Sequence, residues 1–178
     1  MEDGGKSINN LKLSNRITEL NNINLLQKEF GDTAFRAVEN YYFNSGFQIG
    51  FDRLVKLVKE KLLTFEMLKN KPLDSVRDFL HGYFIDRGGN LPDVWHENGI
   101  VFLKTEYCKY CVTIEAEESA EKSHNDVCAI YCRSFAKGLV KVLEDFYPGL
   151  VINFYNVSSR RDGKDSDCVE AFQVITPN

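Results

Sequence analysis

Two groups of residues in the second half of the chain have the types and spacing of metal ligands. His124, Cys128 and Cys132 follow one another at intervals of four residues, so a helix would project all three from about the same side. Cys108 and Cys111 form a Cys-x-x-Cys pair earlier in the chain. Four nitrogen and sulfur ligands are what a structural zinc site requires, with zinc to sulfur distances of about 2.3 Å. The spacing therefore predicts a zinc site built from these residues.

The cysteines also have other interpretations. The chain contains 5 Cys, Cys168 being the last, and an odd number does not fit the paired framework of a small secreted protein. Reduced Cys buried as small apolar side chains explains them as well, since free Cys is among the most buried residue types. In addition, Cys108 and Cys111 lie in strand-like sequence, where an odd separation sends side chains to opposite faces.

Aromatic residues supply a second candidate site. The chain has 13 Phe and 8 Tyr, which could line a cavity in which phenol groups orient a ligand. An aromatic-rich core without a cavity explains the same composition. No GxSxG, HExxH or glycine-rich phosphate motif is present, so catalytic residues stay unassigned. The candidate ligand-binding residues are Phe43, Phe47, Phe51, His81, Tyr83, Phe84, Trp95, Tyr131 and Phe135.

Composition limits the class of partner. A net charge of -4 and a pI near 5.5 provide no long-range attraction to phosphate backbones, so we do not expect nucleic-acid binding. The sequence has no leader pattern and no apolar run of the roughly 18 residues that a membrane span needs. We therefore expect a cytoplasmic protein. The length predicts one domain over residues 11–178, after a flexible, Gly- and Asn-rich tail at residues 1–10.

The elements that position these residues are helices followed by two hairpins. Apolar spacing predicts an N-terminal helix over residues 11–30, whose exposed stripe could contact a partner subunit, and a longer helix that runs to about Leu63. Gly46 and Gly50 lie four apart on that helix and indicate close backbone packing. Thr64 is expected to cap a short helix before Pro72, and a further helix follows.

The rest of the chain alternates between strand and helix patterns. Two antiparallel strands are predicted over residues 91–95 and 100–113, joined by a turn at residues 96–99 in which Asn98-Gly99 is the hairpin signal. A helix is predicted over residues 127–147, and strands over residues 150–157 and 168–175. Strands joined by hairpins are antiparallel, and the long helix must cover one face of the sheet to bury its apolar stripe. The predicted class is α+β: a four-stranded antiparallel sheet with helices packed on one face, preceded by N-terminal helices.

The order of elements and several motifs resemble the vinyl-4-reductase-like, or hydrocarbon-binding, domain family, whose fold is similar to that of certain vesicle-tethering TRAPP subunits. The resemblance covers roughly residues 30–175. Its N-terminal part is Tyr42-x-x-x-Gly46-x-x-x-Gly50. Its C-terminal part is Cys132 on a helix followed by Gly138, a strand, and a Gly-x-Asp turn leading to Cys168.

The resemblance implies binding of small aromatic, hydrocarbon or tetrapyrrole molecules in a cavity between helices and sheet, often in a homodimer formed through N-terminal helices. In zinc-binding members the ligands resemble a helix Cys, a strand Glu, a second Cys and the Cys after the Gly-Asp turn. Cys132 and Cys168 match the outer two, whereas Asn156 and Ser159 stand near the middle positions. A second similar pattern, in thiazoline-carboxylate hydrolase-like proteins, shares the paired Cys and Pro148-Gly149-Leu150.

Three functions follow as hypotheses. The first is a small-molecule binding or sensor domain, a homodimer with an aromatic-lined pocket and a Cys-ligated zinc ion. The second is an enzyme, either a hydrolase or a tetrapyrrole-modifying factor, that uses a pocket Cys or His. The third is a protein-protein assembly factor, for which we expect a large exposed apolar patch on the sheet or the N-terminal helix instead of a pocket.

Overall fold

The structure, a computed structural model, describes residues 22, 25, 26, 28–87, 92–105, 132–158 and 167–176. Within these residues the chain forms a mixed α+β fold with a four-stranded antiparallel sheet, as predicted. Residues 28–30 are also helical. The elements in chain order are α1 (Asp32–Lys59), α2 (Phe65–Asn70), α3 (Pro72–Arg87), β1 (Asp93–Glu97), β2 (Ile100–Thr105), α4 (Ser134–Phe146), β3 (Val151–Ser158) and β4 (Cys168–Ile175).

The predicted hairpin between β1 and β2 is confirmed and turns at Asn98 and Gly99, but β1 continues through His96 and Glu97, which were predicted in the turn. Both residues have positive φ angles, 50° and 80°, which is the geometry of a two-residue type I′ turn. Asn and Gly are the residues that adopt this conformation most readily, so the turn fixes the register that pairs Glu97 with Ile100.

The sheet has the strand order β1-β2-β4-β3, with every neighbouring pair antiparallel. One face carries Val101, Leu103 and Phe172, which are buried under the helices. The opposite face carries a row that crosses all four strands, formed by Trp95, Phe102, Ala171 and Tyr155. The alternation of each strand thus separates a core face from an outer face.

Helix α4 lies between the sheet and α1. Its apolar residues gather on one side of the helix, and Leu139, Val140, Val142 and Leu143 are all buried in the core. Contacts of α4 with β3 on one side and with α1 on the other make it the centre of the described fold.

Three glycines allow α1 and α4 to approach each other. A Cβ at Gly46 would overlap the backbone of α4, and a Cβ at Gly50 would lie 2.5 Å from the carbonyl oxygen of Leu139. From the other side, a Cβ at Gly138 would overlap the carbonyl oxygen of Phe43. The close packing predicted from the spacing of Gly46 and Gly50 is therefore confirmed.

Helix α1 ends four residues before the predicted limit at Leu63. Lys61 adopts a left-handed conformation with φ 58°, and the Leu62 N–H donates to the carbonyl of Leu57 at 2.9 Å, while the Lys61 N–H donates to that of Val58 at 3.1 Å. This pair of hydrogen bonds is the Schellman motif, which ends a helix and commonly has Gly at the left-handed position. Here Lys occupies that position, so the sequence carries no glycine signal for the helix end.

A largely buried cation, Arg53, joins α1 to α3. The Arg53 guanidinium donates to the carbonyl of Phe79 at 3.0 Å and pairs with Asp86, and it lies where a side chain at Gly82 would stand. Burial lowers the pKa of Arg53 from its usual value, and the nearby carboxylate of Asp86 opposes that shift. The guanidinium stays charged, because an arginine is not deprotonated in proteins.

We expect Gly138→Ala to destabilise the protein by about 1–3 kcal/mol, because the new methyl group must push α1 away from α4. Alanine's better helix propensity, about 1 kcal/mol, works against this loss. Urea unfolding measures the change. Lys137→Ala, at the exposed neighbouring position of α4, serves as the control and should change stability by less than about 0.5 kcal/mol. Equal stability of the Gly138 variant and the wild type would contradict the close backbone contact.

Lys61→Gly should stabilise the protein by about 1 kcal/mol, because glycine adopts a positive φ without the steric cost that a Cβ imposes. The matched change Lys59→Gly, in the last turn of α1, should instead destabilise by up to about 1 kcal/mol. Thermal or urea unfolding of both variants gives the comparison. Destabilisation by both changes would mean that the helix continues through Lys61.

Candidate functional site

Two of the five cysteines, Cys132 and Cys168, belong to the described residues. Cys132 is half-buried just before α4, and Cys168 is buried at the first position of β4. The Arg133 Nε donates to the Asn156 Oδ1 at 2.8 Å, which joins the start of α4 to β3. Asn156 in turn pairs with Glu170, two residues from Cys168. The helix that follows Cys132 therefore rests against the sheet that carries Cys168.

The other predicted zinc ligands, Cys108, Cys111, His124 and Cys128, lie outside the described residues. Among the residues that the structure describes, no three His, Cys, Asp or Glu side chains are grouped so as to hold a metal ion. Asn156, near one of the middle ligand positions of the zinc-binding pattern, accepts the hydrogen bond from Arg133. The zinc site stays a prediction.

Three of the nine predicted ligand-binding residues meet on the helical side of the sheet. The ring of Tyr83 lies 4.9 Å from that of Phe84 and 5.8 Å from that of Phe135, measured between centroids. Tyr83 is buried, while Phe84 and Phe135 pack against the edge of the core. The cluster joins α3 to α4.

The remaining predicted residues are dispersed. Phe43 and Phe47 are half-buried on α1, His81 is half-buried on α3, and Phe51 is exposed. Trp95 lies on the outer face of the sheet, where its ring stacks on Phe102 at 5.2 Å. Tyr131 lies outside the described residues.

A groove of about 480 Å³ lies at the N-terminal end of the described helices. Its lining residues were not predicted from the sequence to form one site. The groove runs along the first three turns of α1 and the helical residues before it. None of its lining residues carries a charged side chain, and the groove is almost wholly apolar. The lining residues are Asn22, Leu26, Phe30, Thr33, Ala34, Ala37, Val38, Tyr41 and Tyr42.

The groove exists because α1 has more apolar surface than its neighbours cover. Apolar side chains are spread around α1 instead of gathering on one face. Among the described residues, α4 covers the face of the paired glycines, whereas Phe30 and Tyr41 are each 65% exposed and Leu26 is 41% exposed. Two features of the sequence could have indicated this groove, namely the apolar stripe over residues 11–30 and the aromatic pair at Tyr41 and Tyr42.

The chain is similar in fold to a solved trafficking protein particle complex subunit 3 from Naegleria fowleri, a structure that contains covalently bound palmitic acid. The TM-score is 0.57, the sequence identity is 8%, and the match covers 92% of this chain and 94% of that chain. The fold is TRAPP-like. At this identity the similarity shows the fold alone. No protein-family model matches the chain, and no curated protein matches its sequence.

In the described part of the chain, no helix combines the length and the apolar content that crossing a bilayer would need.

In the folded protein we expect iodoacetamide to alkylate Cys132 faster than Cys168, because Cys168 is only 8% exposed and burial excludes the reagent. Mass spectrometry of proteolytic peptides follows each thiol separately. Denaturation in guanidinium should remove most of the difference. Equal rates in the native protein would contradict the burial of Cys168 at the start of β4.

Proposed function

We propose that this chain is a protein-protein assembly module, which forms a homodimer by burying the apolar groove of α1 against a second copy. The observation that carries the proposal is an uncharged groove on a helix whose apolar residues surround its axis. Burying a large apolar side chain contributes about 1.5–3 kcal/mol to stability. A monomer leaves Phe30 and Tyr41 exposed and therefore lacks this contribution from each. Covering them with a second helix recovers it.

The similarity to a TRAPP subunit supports the same function, since that protein is by its description a subunit of a complex. The resemblance to the vinyl-4-reductase-like family also supports it, because that resemblance implies dimers formed through N-terminal helices. An isologous interface suits this surface. Two copies of a groove without charges meet without opposing like charges or leaving a charge unpaired.

We expect sedimentation velocity at micromolar concentration to give a dimer for the wild type and a monomer for Tyr41→Glu. The substitution places a carboxylate in the apolar interface, and its desolvation is not compensated by any partner. Leu62→Glu is the matched control, because Leu62 is 60% exposed against 65% for Tyr41 and lies beyond the opposite end of α1. That variant should sediment as the wild type does.

A wild-type monomer over the whole concentration range would contradict dimerisation. A Tyr41→Glu variant that sediments like the wild type would place the interface elsewhere. Circular dichroism on each variant separates loss of the interface from loss of the fold.

The second candidate function is binding of a small aromatic, hydrocarbon or tetrapyrrole molecule. It is favoured by the size of the α1 groove, about 480 Å³, which lies in the range of ligand pockets, and by the palmitic acid bound to the TRAPP subunit of similar fold. Native mass spectrometry of the wild type would report a bound molecule and any zinc ion as added mass, in addition to the number of subunits. An enzymatic role for Cys132 or His81 stays a hypothesis.

A further inference from the structure

A second groove, of about 350 Å³, lies between α4 and β3 and is bordered by Phe43 of α1. Its walls are formed by Lys137, Val140, Lys141 and Glu144 on α4, by Ile152, Asn153 and Phe154 on β3, and by Phe43 on α1. The apolar side chains form its floor, and the charged side chains of α4 stand along one rim.

Strand β3 is the edge of the sheet that borders this groove. In the part of the chain that the structure describes, β4 pairs with one side of β3 and no strand pairs with the other. Its eight residues, VINFYNVS, include no charged residue and no proline. Natural proteins protect long edge strands with charges, prolines or bulges, because an open edge pairs readily with another chain. The irregularity in β3 is confined to its end, between Asn156 and Ser158, and leaves Val151 to Tyr155 regular.

The hydrogen bonds of the sheet show which backbone groups of β3 face the groove. The Val174 N–H donates to the carbonyl of Gly99 at 3.0 Å, so it points away from β3. Val174 pairs with Ile152, whose N–H donates instead to the Glu144 carboxylate at 2.7 Å, on the groove side. Since these directions alternate along an antiparallel strand, the N–H and C=O groups of Phe154 also point into the groove.

The rim of the groove has a defined charge. Lys141 pairs with Asp145 at 2.9 Å and with Glu144 at 3.1 Å, and these hydrogen bonds hold the pKa of Lys141 above its usual value. Lys137 is exposed one turn earlier, and no ion pair of Lys137 is found among the described residues. The groove therefore combines apolar side chains, a strand edge at which, among the described residues, the Ile152 backbone alone is bonded to a side chain, and two lysines, of which Lys141 is held in ion pairs with Glu144 and Asp145.

We propose that this groove binds an extended segment of a partner protein, which adds to the sheet as a strand beside β3. The N–H and C=O groups of Phe154 bond to the backbone of the segment, which is how exposed sheet edges recognise extended peptides. Alternate side chains of the segment point to the floor formed by Phe43 and Val140, so they are apolar. An Asp or Glu on the segment pairs with Lys137. The site is independent of the dimer interface on α1.

Selection of random displayed peptides of about ten residues, the length of a long strand, against the full chain tests the proposal. The enriched peptides should alternate apolar with polar residues and contain Asp or Glu opposite Lys137. A synthetic copy of an enriched peptide should bind Lys137→Glu about fivefold or more weakly than the wild type, because attraction at the rim becomes repulsion. Lys69→Glu makes the same charge change at an exposed position of α2 and should bind like the wild type.

Amide hydrogen exchange provides a test that requires no substitution. The same peptide should slow exchange at the Phe154 N–H and leave the Asn153 and Tyr155 N–H groups little changed, since these already face β4. Phe154→Pro removes the donor and should abolish peptide binding, with circular dichroism to confirm the fold.

Failure to enrich any peptide, equal binding to Lys137→Glu, or unchanged exchange at Phe154 would each overturn the proposal. A change in the sedimentation of Lys137→Glu would identify a second copy of the chain as the occupant and overturn it as well. If Tyr41→Glu loses the dimer but still binds the peptide, the proposal of strand addition at β3 holds. Failure of that proposal is therefore distinguishable from failure of the dimer proposal.

Discussion

The close contact between the backbones of α1 and α4 is the constraint on which the rest of the described structure depends. Gly46, Gly50 and Gly138 remove the side chains that would hold the two helices apart. Because α4 packs on the sheet, α1 forms a second layer above it, and Tyr41 on α1 stays 65% exposed. The same contact brings Phe43 to the groove beside β3 and leaves Tyr41 on the exposed side. The positions of both candidate docking surfaces therefore depend on the absence of a side chain at these three glycines.

Local signals made much of this fold predictable. Asn98-Gly99 encodes a two-residue turn in its own φ preferences, the spacing of Gly46 and Gly50 marks a close helix contact, and alternation from Cys168 to Ile175 marks β4 with its observed limits. The end of α1 was predicted too late, because Lys61 takes the left-handed position at which a sequence usually shows glycine. The surroundings of Lys61 impose that conformation, so the residue type at this position does not indicate the end of the helix.

The candidate site was less predictable, because aromatic residue type does not specify which surface covers a ring. Tyr83 and Trp95 were grouped in one predicted pocket, yet Tyr83 is buried against Phe135 and Trp95 stacks on Phe102 on the outer face of the sheet. The groove on α1 depends on which side of the helix α4 covers. Since apolar residues occur all around α1, periodicity could not single out that side.

The two candidate docking surfaces differ in chemistry and in position, which determines what each could bind. Tyr41 and Phe43 lie two residues apart on α1, so they project in directions about 200° apart around the helix. In the proposed dimer, a second copy bound over Tyr41 would approach α1 from the side away from Phe43. A module with only the first surface would stop at a dimer, because an isologous interface is closed. In the proposed dimer, each copy would keep the edge of β3 available to a segment of a different protein, and the symmetry of the dimer would give two such sites.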